Sequence, residues 1–193
     1  MQLIVGKLIS CFILFKNILD SKKTESITFR IDEKYDKTLR KIADEEKISL
    51  NTLANQIFGN YVELEVYFQK FGILKLSTDS FRRILAIIDD NDIIEVATRG
   101  GSLEGKEFIL FKWKELSLKT VTDFIKIFFD FCGFGRCDME ISESNVCLSV
   151  HHDLKEKGSL YIKHFLESLI RTTLDKSCKT TTTEDSVTLS FQP

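Results

Sequence analysis

Apolar and polar positions along this chain change period several times, and each change marks an element. Over residues 26–31, Ile27, Phe29 and Ile31 alternate with Ser26, Thr28 and Arg30, the two-residue period of a strand with one apolar and one hydrogen-bonding face. The period then lengthens. Residues 33–46 are polar and rich in helix formers, with Leu39, Ile42 and Ala43 as a narrow apolar stripe, and Lys47-Ile48 turns the chain. Ser49 stands where its hydroxyl can cap a second helix. Beyond it Leu50, Ala54, Ile57, Tyr61, Leu64, Phe68 and Phe71 are spaced alternately by four and three, the seam of helices packed side by side. Gly72 is placed as the C-terminal cap of this helix. A run of about 22 residues reaches roughly 33 Å, and Gly59 inside it is a weakness of about 1 kcal/mol against Ala.

Residues 73–105 read as a helical connector. Ser77 or Thr78 can cap a helix bearing Phe81, Ile84, Leu85 and Ile88 on one side, and 92–98 continue helically until Gly100-Gly101 breaks the run. From 106 onward the element types alternate. An apolar run at 107–113 reads as a strand, followed by a helix over 118–131, strands near 137–142 and 146–151, a helix over 154–174, and a final strand pair around 178–183 and 186–191. Glu143-Ser144-Asn145 and Thr183-Glu184-Asp185 are short enough for hairpin turns. That order predicts βαββαβ with a strand added, a ferredoxin-like antiparallel α+β sandwich with two helices on one face of the sheet.

A strand followed by two helices cannot hide its apolar side alone, because both strand edges stay unpaired and a helical hairpin makes a thin core. Two copies pairing strand to strand form a ribbon, and a two-stranded ribbon fits the DNA major groove with its polar face inward. On Ser26-Ile27-Thr28-Phe29-Arg30-Ile31, the helix ending near Glu46, and Ile48-Ser49-Leu50-Asn51-Thr52-Leu53 opening the next helix, residues 21–72 resemble the ribbon-helix-helix DNA-binding family. The resemblance covers about a quarter of the chain. It implies a homodimer whose ribbon reads bases through Ser26, Thr28 and Arg30, Arg being matched to guanine O6 and N7. Lys22 and Lys23 on the preceding arm, and Ser49, Asn51 and Thr52 at the second helix start, are the expected phosphate contacts. The seven seam residues are the expected dimer seam. Where many family members place Gly in the turn, this chain has Lys47 and Ile48. The two-part plan also resembles the nickel-responsive regulators, but the His and Cys spacing does not match their metal site.

Composition agrees with a packed protein: 43% of the 193 residues are hydrophobic, 16 of them Phe, with 9 Gly and 1 Pro. The net charge of −2 excludes nucleic-acid binding by bulk attraction. Even residues 22–47 carry eight Lys or Arg against seven Asp or Glu. Five cysteines in no dense framework suit a reducing compartment, and the cytoplasm is expected. Residues 1–20 form an apolar N-terminal extension, nearly all apolar from Leu8 to Phe15 between Lys7 and Lys16. That run is short of the roughly 20 residues a membrane span needs, and no small-residue cleavage site follows it. It reads as an extra helix or as a tail before the domain proper.

His151-His152-Asp153 invites a chemical reading, because imidazoles beside a carboxylate can hold a metal or move a proton. Yet Asp153 with Glu156 three residues on has a capping-box layout, and two successive strand residues point to opposite faces. His152 is kept as a possible ligand. Cys132 and Cys137 are spaced too widely for a zinc knuckle, and Phe124, Phe128, Phe129 and Phe131 read as core. No cofactor motif and no catalytic constellation occurs, so the expectation is a transcriptional regulator rather than an enzyme. Its expected partners are double-stranded DNA, a second copy and an unidentified small-molecule or protein effector, with no membrane. The alternative is an antitoxin-like or scaffold protein that uses the same ribbon and helices to oligomerise without specific DNA binding.

Overall fold

The structure, a computed structural model, describes residues 24–193 apart from the side chains of 130–132. The N-terminal extension, Lys22 and Lys23 lie outside the described residues. The chain divides into two compact units that part between Val66 and Tyr67.

In the first unit, residues 24–32 form neither helix nor strand within the single chain. Two helices follow, α1 (Glu33–Glu46) and α2 (Leu50–Asn60). On α1, Lys37 with Glu33 (2.6 Å), Arg40 with Asp36 (2.9 Å) and Lys41 with Glu45 (3.7 Å) make i,i+4 ion pairs. Such exposed pairs contribute only a few tenths of a kcal/mol each. The helical hairpin therefore depends on its apolar side, where Ala43 and Leu53 are buried. Between them Lys47 takes the left-handed conformation (φ +57°), and the Ile48 N–H donates to the Ala43 carbonyl at 2.9 Å, closing α1. A non-Gly residue in that conformation costs roughly 1–2 kcal/mol. Ser49 caps α2 as read from the sequence, its Oγ accepting from the Thr52 N–H at 3.0 Å. Helical residues continue through a π-helical turn, Tyr61–Glu65, into α3 (Val66–Phe71), which from Tyr67 onward belongs to the second unit. Gly72, at φ +65°, ends the run, with the Ile73 N–H donating to the Phe68 carbonyl at 3.0 Å.

The second unit is built on a 20-residue helix. After α4 (Thr78–Ile87), α5 (Asp90–Arg99) leads through a π-helical stretch, Gly100–Gly105, into α6 (Lys106–Trp113). Then come α7 (Leu118–Cys132), β1 (Arg136–Ile141), β2 (Val146–His151), α8 (Lys155–Leu174), β3 (Lys179–Thr182) and β4 (Ser186–Phe191). Residues 73–105, read from the sequence as a connector, hold α4, α5 and the π-helical stretch, which pack on α8.

Two sequence expectations are corrected here. Gly100-Gly101 does not break the helix. A Cβ on Gly101 would lie 2.1 Å from the Phe165 carbonyl oxygen and 2.2 Å from Ser168 Oγ, so glycine here admits the α8 backbone rather than a turn. Residues 107–113 are helical, not a strand. Phe108 and Ile109 are buried, and Leu110 and Phe111 are each 38% exposed. The Phe108 ring meets Phe68, Phe71 and Phe124 at 6.2, 5.2 and 5.4 Å. A helix met on several sides keeps no single polar face, and its short apolar run cannot be told from a buried strand by period.

The four-stranded antiparallel sheet has the order β1-β2-β4-β3. The second unit is α+β, but with that helix at 106–113 its order is αββαββ from α7 onward, not the ferredoxin-like βαββαβ. Val146, Leu148 and Val150 of β2 stand opposite Phe191, Leu189 and Val187 of β4, all six buried. The alternate residues are polar, and Ser149 Oγ lies 3.1 Å from Thr188 Oγ1 across the pair. One face therefore meets the helices and the other meets water. Each α-β-β segment supplies one edge strand and one central strand, and the Leu148–Leu189 pair lies midway between them.

Glycine substitutions separate the two helical roles. Gly101→Ala destabilises the second unit by about 3 kcal/mol or more, through overpacking against backbone that has no rotamer to change. Gly59→Ala, where an added Cβ meets nothing within 4 Å, stabilises the first unit by roughly 0.5–1 kcal/mol. Urea unfolding of the full chain, followed by circular dichroism, measures both.

Candidate functional site

The side chains expected to read bases lie on the segment before α1. Ser26, Thr28 and Arg30 are exposed, and so are the alternate apolar residues Ile27 (71%), Phe29 (57%) and Ile31 (52%). The Phe29 ring reaches Phe58 of α2, with centroids 5.4 Å apart. That contact ties the segment to the C-terminal part of α2; the α2 start, capped by Ser49 with Asn51 and Thr52 exposed beside it, belongs to the same unit. Ser49 Oγ is also 2.8 Å from Thr52 Oγ1, so both hydroxyls are engaged at the cap.

The seam divides. Leu50 and Ala54 are half-buried, while Ile57 (44%) and Tyr61 (52%) are exposed. Leu64 is buried, and Phe68 and Phe71 spend their rings on α6 of the same chain. The seam residues neither buried nor packed on α6 within the described chain are therefore those of 50–61.

His152 is buried, whereas His151 is exposed. The Leu154 N–H donates to His152 Nδ1 at 3.2 Å, which places the ring proton on Nε2. That Nε2–H donates to Ser159 Oγ at 2.9 Å, and Ser159 in turn donates to the Thr183 carbonyl at 2.6 Å. The His152 N–H donates to the Asp185 carbonyl at 2.9 Å. His152, not an Asp153–Glu156 box, thus holds the start of α8: the residue at the N-cap position is Leu154, without a side-chain cap bond. Desolvation pushes the His152 imidazole below its ordinary value of 6.5, against the upward pull of Asp185 and Asp153 and with a smaller downward push from His151. Both ring nitrogens being committed within the chain, His152 serves as a brace between α8 and the β3–β4 turn rather than as a ligand. Among the described residues no cluster of three His, Cys, Asp or Glu is disposed to hold a metal ion. Burial also pushes the half-buried Cys178 thiol up to about 11, which keeps it protonated and unreactive near neutral pH.

A feature not foreseen from the sequence is a cavity of about 590 Å³ in the second unit, walled by Phe71, Phe81, Phe128, Phe134, Tyr161 and Phe165 among others. Phe124 and Phe129 are buried core as expected, but Phe128 is half-buried and faces this space. The signal available was aromatic density alone, which does not separate a core ring from a cavity wall.

No protein-family model matches the chain, and no curated protein matches it. Among the described residues, no helix is long and apolar enough to cross a membrane.

The depressed His152 value sets a pH dependence. Folding favours the neutral ring, so the unfolded chain binds the extra proton. The full contribution is present above about 6.5, and stability declines as pH falls through that value. Urea midpoints for the second unit are expected to drop between pH 7.5 and pH 5, with a flatter profile in His152→Gln.

Proposed function

We propose that the chain is a homodimeric, sequence-specific DNA-binding transcriptional regulator of ribbon-helix-helix type, working in the cytoplasm, with a C-terminal unit that senses a signal or aids dimerisation. The observation that carries this reading is the segment 24–32: its apolar residues Ile27, Phe29 and Ile31 are exposed on a stretch without secondary structure in one chain. Pairing with the same segment of a second copy turns that surface inward against the helical hairpins and supplies the missing ladder of backbone hydrogen bonds. The outward face of the resulting ribbon then carries Thr28 and Arg30 twice, with Ser26 beside them, for the major groove. Ser49, Asn51 and Thr52 at the start of α2 hold the flanking phosphates, and 50–61 is the part of the seam that meets the partner.

A second reading has a specific observation in its favour. The cations of α1 are largely held in ion pairs along the helix, and the unit is nearly neutral. A neutral paired ribbon serves equally as an oligomerisation module that binds protein rather than DNA. Proteins or DNA copurifying with the tagged full chain distinguish the two.

Gel-shift measurements with genomic fragments test the first reading directly. The intact chain is expected to bind with salt-dependent affinity. Arg30→Ala should weaken binding by about 1–3 kcal/mol, roughly 5- to 150-fold, and relax preference at one base position. Phe29→Asp should abolish dimerisation and the shift together. Absence of any salt-sensitive shift by wild type, or full affinity in Arg30→Ala, rejects the regulator.

A further inference from the structure

From the cavity walls we infer that the second unit binds a small, largely apolar molecule with a flat aromatic or conjugated portion. The volume of about 590 Å³ lies within the roughly 300–1,000 Å³ typical of small-molecule pockets. It is a cleft partly open to solvent, and rings facing it lack on that side the dispersion contacts that a ligand of matching shape supplies.

Ring orientation specifies the shape. Phe128 stacks on Phe134 (5.0 Å, 17°) and on Phe165 (4.8 Å, 13°). Tyr161 lies nearly parallel to both Phe134 (4°) and Phe165 (13°). Four rings therefore share one plane direction, while Phe81 stands edge-on to Phe134 and Tyr161 at 84° and 85°. Because these rings already stack on one another, a ligand meets only the outer faces and edges they leave toward the cavity, and a flat molecule aligned with them packs there in the offset or edge-on geometries aromatic pairs favour.

Polarity of the walls specifies the chemistry. The wall residues with polar side chains are Tyr161, Thr78, Lys75 and Glu104, none of them a buried charge: Tyr161 carries a neutral hydroxyl, the Thr78 hydroxyl already donates to the Gly133 carbonyl, and Lys75 and Glu104 are exposed to water. A ligand charge set deep among the rings would go unpaired there, so the ligand is neutral or keeps any charge at the rim. Residues 73–76 form part of the wall, and Leu74 (84%) and Leu76 (55%) are exposed on it, an oily rim for an oily molecule.

This deepens the sensing role proposed above, yet it stands on Tyr67–Pro193 alone and is tested without DNA. The probe is N-phenyl-1-naphthylamine, neutral and aromatic, titrated into the full chain and followed by its fluorescence, with naphthalene as competitor. Saturable one-to-one binding displaced by naphthalene is expected. Ile127→Trp, which fills the cavity from its α7 wall, should weaken binding by about tenfold or more while keeping the helical circular dichroism. Ile87→Ser, 86% exposed and not part of the wall, should bind as wild type does. Should Ile127→Trp fail to fold, hydrogen exchange of the wild type with saturating probe decides instead, protection being expected at 71–81, 124–134 and 161–165. No saturable binding, undiminished binding by a folded Ile127→Trp chain, or protection confined to other segments overturns the inference. A chain that binds the probe but gives no gel shift retains this site and loses the regulator; the converse loses this site alone.

Discussion

Where α5 passes into α6 the chain crosses α8 at a separation that only glycine tolerates, and the second unit is arranged around that crossing. An added Cβ on Gly101 would lie 2.1 Å from the Phe165 carbonyl oxygen and 2.2 Å from Ser168 Oγ, and one on Gly105 would lie 3.0 Å from Leu169 Cδ1 and 3.3 Å from the Phe124 ring. Backbone close to backbone leaves side chains no room at the crossing, so the bulky residues collect beyond it. There Phe108 sits among Phe68, Phe71 and Phe124, and the rings of α7 and α8 bound the cavity. The other side of α8 is free to cover the apolar face of the sheet. A helix that serves two neighbours must be apolar over most of its circumference, and α8 buries residues as varied as Gly158, Ile162, Phe165, Leu166 and Leu169.

How much of this was legible in the sequence depended on whether the cause was local. Val146, Leu148 and Val150 alternate with polar residues because one sheet face meets water, and the pattern survives in Val187, Leu189 and Phe191. Both central strands could be read from it. Gly100 and Gly101 misled because the usual role of paired glycines is to end helices, whereas here they answer to a helix some 60 residues later in the chain. The run at 107–113 misled because rings of α3 and α7 cover it on more than one side and erase its period. A signal for the true topology was nevertheless present: Val146-Cys147-Leu148-Ser149 and Val187-Thr188-Leu189-Ser190 share Val, Leu and Ser at the same spacing, each closing an α-β-β segment. Such a repeat fits αββ twice over better than βαββαβ.

The site residues divide along the same line. Ser49 was legible because a cap bonds within its own turn. The cap of α8 was not: Asp153 and Glu156 have the right spacing, but His152 takes the role, held by the distant carbonyls of Thr183 and Asp185 through Ser159 and its own N–H. The four-three spacing from Leu50 to Phe71 announced an apolar stripe correctly without saying what covers it, and Phe68 and Phe71 turn out to be covered by α6. Spacing reports that a residue needs a partner; the partner's chain is decided by tertiary structure.

For the proposed regulator, near-neutrality of the first unit has a physical consequence of its own. Two copies with a strong positive charge would repel as their segments met, and the pairing energy would have to overcome that repulsion. With Lys37, Arg40 and Lys41 neutralised along α1, burial of Ile27, Phe29 and Ile31 against a second copy proceeds without that opposition. The same neutrality removes most of the indiscriminate phosphate attraction that dominates non-specific DNA binding. Affinity in such a design rests on a few positioned groups, Arg30 above all, and each is presented only when two chains have paired. In the proposed regulator, dimerisation would then precede DNA binding, because residues 24–32 form no strand within one chain and a ribbon needs two.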